Sequence, residues 1–194
     1  MKHFTGLLIC CLLMCPGAAQ GQTNVVISRG ENSRWTDSSF VVNSLRVTVW
    51  TNHEKYSLND SLDLAVTIQN LSSEAVFIDR RMYWSGYGGG LKLVISDENG
   101  AFLPSHFSGG AIMPPPRPDD TTLLVRLDLG YCYGTTLSFI VKDNIPKTGK
   151  YAIRVMYKSW LPKDLVAPQL RQLPALWKES PPILSDPVWI TIVR

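Results

Sequence analysis

The chain has 194 residues, with 19 Lys and Arg against 16 Asp and Glu and a formal net charge of +3. Positive and negative residues are interspersed along it, which argues against a nucleic-acid partner because nucleic-acid binders show a clustered basic face. The length suits one sizeable domain or two very small ones, and we expect one domain with an insertion.

Residues 1–19, MKHFTGLLICCLLMCPGAA, have the layout of a secretory signal peptide. Lys2 and His3 precede an apolar run over residues 7–14, which is too short to span a bilayer. Small residues then permit cleavage after Ala19 or Gly21. The sequence therefore predicts a secreted or periplasmic protein with no transmembrane segment in the mature chain, residues 20–40 forming an N-terminal extension and residues 41–194 the domain.

Cysteine positions bear on both anchoring and stability. Acylation of Cys15 is the alternative to secretion, but lipoprotein processing prefers a small residue where Met14 stands. Cys10 and Cys11 also lie in the predicted signal peptide, so the mature chain would keep only Cys132. No intramolecular disulfide could then form, and the domain would depend on its apolar core.

Two early segments alternate apolar and mostly polar residues with the period of a β-strand. They cover residues 44–50 and 61–70, and the turn-forming stretch between them is short enough for an antiparallel connection. Their predicted buried faces comprise Leu45, Val47, Val49, Leu62, Leu64, Val66 and Ile68.

Further strands are predicted over residues 75–84 and 91–97. Asn99-Gly100 favours a tight type I′ turn into a short partner over residues 101–107, which Pro104 restricts to a sheet edge. Residues 108–120 contain Pro114, Pro115, Pro116 and Pro118 and are predicted to form a loop with extended polyproline character.

The last part of the chain continues the same pattern. Strands are predicted over residues 121–130, 135–143, 150–158 and 186–193, with a long proline-rich insertion at 160–185 whose stretch 167–177 is compatible with one or two helical turns. No long helical period is present. The predicted fold is all-β, an antiparallel immunoglobulin-like β-sandwich of about 7–9 strands with the insertion before the last strand.

The glycines of YWSGYGGGLKLVI, residues 83–95, are one candidate for a phosphate-binding loop. Such loops deliver backbone N–H groups at a helix N-terminus, whereas these glycines lead into a predicted strand. We interpret them as a bend at the end of a sheet.

The sequence contains no recognisable arrangement of catalytic or metal-binding residues. His53 and His106 lack partners at zinc-ligand spacing, and no serine lies in a GxSxG elbow. Alternation in GYCYG is expected to point the thiol of Cys132 inward, opposite Tyr131 and Tyr133. We expect no metal, no cofactor and no enzymatic activity.

Aromatic residues next to arginines give the one positive indication of binding, because Tyr, Trp and Arg dominate binding hot spots. Two tryptophans also bracket the insertion, and the alternative for all the tryptophans is that they cap the sandwich core. The candidate residues of this kind are Arg80, Arg81, Tyr83, Trp84, Tyr87, Trp160 and Trp177.

A second candidate site is the loop 111–120, AIMPPPRPDD, around Met113 and Arg117. Prolines hold a segment extended and lower its entropic cost of binding, as a loop that enters a protease cleft requires.

The leading functional hypothesis is an exported module that binds a protein partner, and the second is a proteinase inhibitor. A third, an enzyme of unrecognised type, would need a cleft that unites His53 or His106 with a carboxylate. Asn59 and Asn70 lie in glycosylation sequons, which matter only in a glycosylating host.

The stretches TVWTNHEKYSLNDSLDLAVTIQNLSSEAVFI and KTGKYAIRVMYKSW, with LSDPVWITIV, resemble secreted bacterial immunoglobulin-like modules, including those related to BsuPI-type proteinase inhibitor domains. The resemblance covers about residues 47–193. It implies that Tyr56 and Asn70 shape the first turns and that Gly149 and Tyr151 shape the last hairpin. The chain departs from the pattern at SLNDS, where a Pro-Gly turn is commoner, and in the insertion 160–185.

Overall fold

The computed structural model describes residues 43–84, 90–104, 117 and 119–194. Tyr87, His106 and Met113 lie outside these residues, as do the predicted signal peptide with Cys15, the extension 20–40 and most of the loop 111–120. The strands are β1 (Leu45–Thr51), β2 (Lys55–Ser57), β3 (Ser61–Asn70), β4 (Val76–Asp79), β5 (Gly90–Asp97), β6 (Phe102–Leu103), β7 (Leu124–Leu127), β8 (Cys132–Ile140), β9 (Gly149–Lys158), β10 (Ile183–Leu184) and β11 (Val188–Val193).

The strands form two main sheets and one small one. The first sheet has the order β1-β3-β8, and the second has the order β2-β11-β9-β5-β6 with β10 also paired to β9. Strands β4 and β7 pair with each other. Between these strands of the described residues, all pairings are antiparallel except that of β2 with β11, which is parallel. The prediction of an all-β, mainly antiparallel fold is confirmed.

Alternation in the sequence matches burial in the structure, because every second side chain of a strand points to the same face of its sheet. The predicted inward face of β3 and that of β9 are both buried, and they meet in one apolar core to which both main sheets contribute. Each fully buried aliphatic or aromatic side chain contributes about 1.5–3 kcal/mol to this packing.

The described residues already hold eleven strands, more than the predicted 7–9, and three of these eleven are only two or three residues long. Such segments are too short to show alternation. The predicted strand 75–84 is also wrong at its end, since β4 stops at Asp79, and the predicted strand 121–130 is limited to β7. In both places the chain leaves the sheet where polar backbone groups find partners in turns, such as Met82 N with Arg80 O.

The β5–β6 connection differs from the predicted type I′ turn. The N–H of Gly100 donates to the carbonyl of Asp97, so Glu98 and Asn99 occupy the centre of the turn. Gly100 follows with a φ of 83°, the left-handed conformation that a three-residue hairpin loop requires. The hairpin itself is confirmed by the pairing of Ile95 with Leu103.

The insertion between β9 and the last strands folds into a second, smaller apolar cluster. It contains 3₁₀ turns at Lys163–Leu165 and Pro168–Leu170, the latter within the stretch predicted to allow helical turns. Phe77 of β4 donates its N–H to Pro174 and accepts from Leu176, which ties the insertion to the small sheet. The cluster comprises Leu123, Leu161, Val166, Ala167, Leu170, Ala175 and Trp177.

The prediction that Cys132 points inward is wrong, because its side chain is exposed. Alternation is kept, but Tyr133 takes the inward side. Its ring packs against the core, and its hydroxyl donates to the carbonyl of Arg80 at 3.1 Å.

Candidate functional site

The segment Asp79–Trp84 leaves the end of β4 and carries four of the predicted binding residues. Its anchor is Asp79, whose side chain is 2% exposed and pairs with Arg81 through Nε–Oδ1 and Nη2–Oδ2 distances of 3.1 Å. A guanidinium that meets a carboxylate with two parallel hydrogen bonds has a fixed orientation. Arg81 therefore holds the segment in place.

Burial dominates the electrostatics of this pair. Desolvation raises the pKa of Asp79 above its ordinary value, and the hydrogen bonds from the Arg81 side chain and backbone offset only part of that rise. Tyr157, which is completely buried, points its hydroxyl at the carbonyl of Asp79 from 3.5 Å, and burial also raises its pKa. The Asp79 carboxylate thus has hydrogen-bond partners in its buried position, and its role is structural.

Trp84 is held by a second set of contacts. Its indole Nε1 donates to the carbonyl of Thr136 on β8 at 3.3 Å, and its ring packs against the main core. Because Thr136 lies on the free edge of the first sheet, Trp84 covers part of that edge. This position fits the alternative that tryptophans cap the core.

Tyr83 and Arg80 are the predicted residues of this segment that remain available to a partner. Arg80 is exposed, and Tyr83 is 48% exposed. The carbonyl of Tyr83 accepts the N–H of Leu91 at 2.8 Å, so both ends of the glycine-rich segment are tied together. Arg80 and Tyr83, both of residue types common in binding hot spots, are thus exposed on a backbone that is held in place.

Gly90 is the one glycine of the loop that the structure describes, and it makes this closure possible. It has a φ of 81°, and a Cβ built on it would overlap the Tyr83 carbonyl. Gly90 is the first residue of strand β5, so a strand, as predicted, and not a helix begins here.

The two tryptophans of the insertion lie near each other but differ in exposure. Lys178 donates its N–H to the carbonyl of Leu161, which brings the neighbouring Trp177 and Trp160 segments together. Trp177 is 9% exposed within the second apolar cluster, whereas Trp160 is partly exposed with the Lys178 ammonium 5.4 Å from its ring centroid. Trp177 offers little surface for a partner.

The remaining candidates are separate from this segment. Arg117 is exposed, and the N–H of Asp120 donates to its carbonyl, closing a turn at the end of the proline loop. The backbone N–H of His53 donates to the Tyr56 hydroxyl at 2.8 Å, and its ring meets the Tyr56 ring edge-on. In the described part of the chain, no group of three or more His, Cys, Asp or Glu residues is arranged to hold a metal.

The described part of the chain forms one small cleft that can be compared with known ligand sites. A shallow cleft of about 100 Å³ is lined by Leu103, Pro104, Lys142, Asp143, Asn144 and Pro146. Ligand pockets of small-molecule sites are commonly about 300–1,000 Å³. The cleft is therefore a poor candidate for a small-molecule site.

Sequence reasoning missed several exposed aromatic residues. Trp50 and Trp189 lie on strands at outward positions, and Phe102 and Tyr131 lie near strand ends. The alternation that identified the strands also placed Trp50 and Trp189 opposite the apolar faces, so their exposure was readable from the sequence.

Among the described residues, none forms a helix long and apolar enough to cross a membrane. No protein-family description matches the chain, and no curated protein matches it.

Solved structures give only weak likenesses. A β-glucosidase of Erythrobacter marinus aligns over 77% of this chain and 15% of its own, with 14% identity and a TM-score of 0.37. A β-glucosidase of Listeria innocua in complex with glucose aligns over 77% of this chain and 16% of its own, with 12% identity and a TM-score of 0.33. The chain thus spans about one-sixth of the length of these enzymes, and the likeness assigns neither family nor activity.

Proposed function

We propose that the chain is an exported, non-enzymatic binding module of the cell envelope or extracellular space, and that its partner is a protein. The observation that carries the proposal is the exposed pair Arg80 and Tyr83 on a segment fixed by the Asp79–Arg81 ion pair. Contacts that need no ordering on binding cost less entropy, so a fixed backbone suits recognition.

We further propose that the sandwich is immunoglobulin-like, as the sequence resemblance implies. The chain passes from β1 in the first sheet to β2, which runs parallel to the last strand β11 in the second sheet. At the start of β9, the Tyr151 hydroxyl donates to the carbonyl of Lys147 at 3.1 Å. A tyrosine bonded to the backbone a few residues upstream at this corner is typical of immunoglobulin-like domains.

The test of the binding function is affinity capture of extracellular and envelope proteins on the full chain, with quantification by mass spectrometry. The double variant Arg80→Ala/Tyr83→Ala should lose the partner. Arg126→Ala/Tyr131→Ala is a matched control, because it removes an exposed Arg and an exposed Tyr elsewhere. Retention of every captured protein by the first variant would contradict a site at Arg80 and Tyr83.

The proteinase-inhibitor hypothesis depends on the loop 111–120. Its support in the described residues is the turn that presents Arg117, where Asp120 also accepts hydrogen bonds from the N–H and hydroxyl of Thr122. Those bonds lower the pKa of Asp120 below its ordinary value. Replacement of residues 113–117 by Gly and Ser should abolish inhibition of a captured protease while Arg80→Ala/Tyr83→Ala leaves it unchanged.

A further inference from the structure

The outer face of the second sheet collects basic side chains from separate parts of the chain. Strand pairing aligns the residues that point away from the core, and none of the outward positions on these strands holds a carboxylate. We call this surface the outer basic face; its cations are Lys55, Lys92, Lys150, Arg154 and Lys158.

These charges are poorly neutralised within the chain. In the described residues, none of Lys55, Lys92, Lys150 and Arg154 forms an ion pair, since the two pairs present involve Asp79 and Asp128. The Asp97 carboxylate, at the end of β5, accepts hydrogen bonds from the backbone N–H groups of Asn99 and Ala101 in the following turn. The face keeps an excess of positive charge directed at solvent.

Apolar side chains lie on the same face, between and beside these cations. One cross-strand row runs from Phe102 through Ser96 and Ala152 to Trp189, and its two aromatic residues are 76% and 44% exposed, respectively. The Lys150 ammonium lies 5.0 Å from the centroid of the Trp189 ring. Two rows further along the same face, Met156 pairs with Leu184, which is also exposed.

The arrangement of these residue types resembles a protein interface. Aromatic residues, Met and Arg are enriched in interface cores, and charged residues such as Lys are confined to the rim. Here Arg154, Met156 and Trp189 lie between lysines placed toward the ends and edges of the strands. A nucleic-acid face would instead carry cations throughout, because most of its contacts are to phosphates.

The size of the face also suits a protein. From Lys150 to Lys158, β9 extends about 26 Å at about 3.3 Å per residue, and the five strands from β2 to β6 span about 19 Å at about 4.8 Å per spacing. The resulting area of about 500 Å² in the plane is of the same order as the roughly 800 Å² that each partner buries in a standard interface. A second copy does not fit, since two such faces would set like charges against each other.

We propose that the outer basic face docks an acidic protein surface, with Trp189 and Phe102 as apolar anchors and the lysines steering the encounter. The inference concerns a surface distinct from Arg80 and Tyr83, so variants of the two surfaces separate the two proposals.

The test uses the full chain and poly(Glu,Tyr), an acidic copolymer with aromatic side chains, as the probe. At about 0.1 M salt, where the Debye length is about 10 Å, we expect measurable binding that weakens steeply as salt rises. Lys92→Glu/Arg154→Glu should weaken it at least tenfold. Lys142→Glu/Lys163→Glu changes the net charge equally at exposed positions outside the face and should stay within twofold of the unmodified chain.

Trp189→Ala should weaken binding of the tyrosine-containing copolymer more than binding of poly-L-glutamate, because only the former offers rings to the apolar anchors. Equal loss in both charge-reversed variants would show a net-charge effect and overturn the proposal, as would no binding at all. Tighter binding to duplex DNA or to anionic phospholipid vesicles than to poly(Glu,Tyr) would assign the face to a different class of partner and equally overturn it.

Discussion

Arg81 was predicted as a binding residue, and its geometry gives it a structural role. Its guanidinium compensates the buried carboxylate of Asp79, and removal of one partner from a buried pair leaves the other charge without compensation. Arg80, the adjacent residue, points to solvent. Two consecutive arginines therefore have different roles, which the sequence alone does not distinguish.

We expect Arg81→Gln to lower the free energy of unfolding by about 3–5 kcal/mol at neutral pH. Burial already raises the pKa of Asp79, and loss of the guanidinium raises it further. The folded variant then binds a proton at a pH where the unfolded chain, with an Asp pKa of about 3.9, does not. The difference from the unmodified chain should therefore shrink as pH falls from about 7.5 to about 4.5, measured by urea unfolding.

Arg80→Gln is the control for that experiment, and we expect a change within about 0.5 kcal/mol because the side chain is exposed. A penalty for Arg81→Gln that stays constant across this pH range would contradict the assignment of the effect to the Asp79 carboxylate.

Asn70 shows how a polar residue can be required in a buried place. Its amide nitrogen donates to the carbonyls of Glu74 at 2.7 Å and Leu127 at 2.8 Å, and its oxygen accepts from the N–H and hydroxyl of Ser72. The side chain is fully buried. Its sequon is therefore blocked in the folded protein, whereas that of Asn59 is exposed.

We expect Asn70→Ala to cost about 3 kcal/mol, because the buried hydrogen bond to the Leu127 carbonyl is lost together with the bonds to Glu74 and Ser72. Asn59→Ala, in the other sequon, should cost less than about 1 kcal/mol. Chemical denaturation of the two variants side by side measures both, and equal midpoints would show that the Asn70 hydrogen bonds contribute little.

At the level of elements, the connection from Trp84 to β5 depends on a backbone conformation. Gly90 combines a left-handed φ with close approach to the Tyr83 carbonyl, while Gly100 has a similar φ and open space around its Cα. A comparison of substitutions at Gly90 and Gly100 therefore distinguishes the cost of backbone strain from the cost of steric overlap.

Gly100→Ala should cost about 1–2 kcal/mol, the strain of a left-handed conformation. Gly90→Ala should cost clearly more, because the new methyl also displaces Tyr83 and weakens its bond to Leu91. Thermal unfolding of both variants checks the order. Equal shifts in Tm would indicate that the chain relaxes around position 90 without cost.

At the scale of the whole molecule, two apolar clusters support the described domain. The main cluster joins the two large sheets, and the second joins the insertion to the small sheet through Phe77 of β4 and Leu124 of β7. Trp177 belongs to the second cluster, so side chains of the insertion pack in an apolar cluster separate from the main core.

Trp177→Ala should lower the free energy of unfolding by about 3–5 kcal/mol, the usual cost of truncating a buried Trp. Trp160→Ala should cost less, because that ring is partly exposed. Unfolding followed by circular dichroism measures both. If Trp177→Ala instead left stability unchanged and abolished partner capture, Trp177 would be a binding residue, as predicted from the sequence.

The sequence by itself determined the long strands and their buried faces, because alternation between neighbouring residues is a local property that β geometry converts directly into sidedness. The faces of β3 and β9 were readable in this way. Strands of two or three residues were not, since they are defined by partners distant in the chain.

Only the tertiary structure decided which charged and aromatic residues are structural and which face solvent. Asp79 is buried where β4 pairs with β7 and the Tyr157 hydroxyl of β9 approaches its carbonyl. Tyr133 takes the inner side of β8 because it shares the strand face of Phe139, which packs in the main core, whereas Cys132 lies on the opposite face. Likewise, Lys55, Lys92, Lys150 and Arg154 are interspersed in the sequence, and strand pairing brings them to one face. Residues distant along the chain become neighbours only through pairing and packing, which no local pattern encodes.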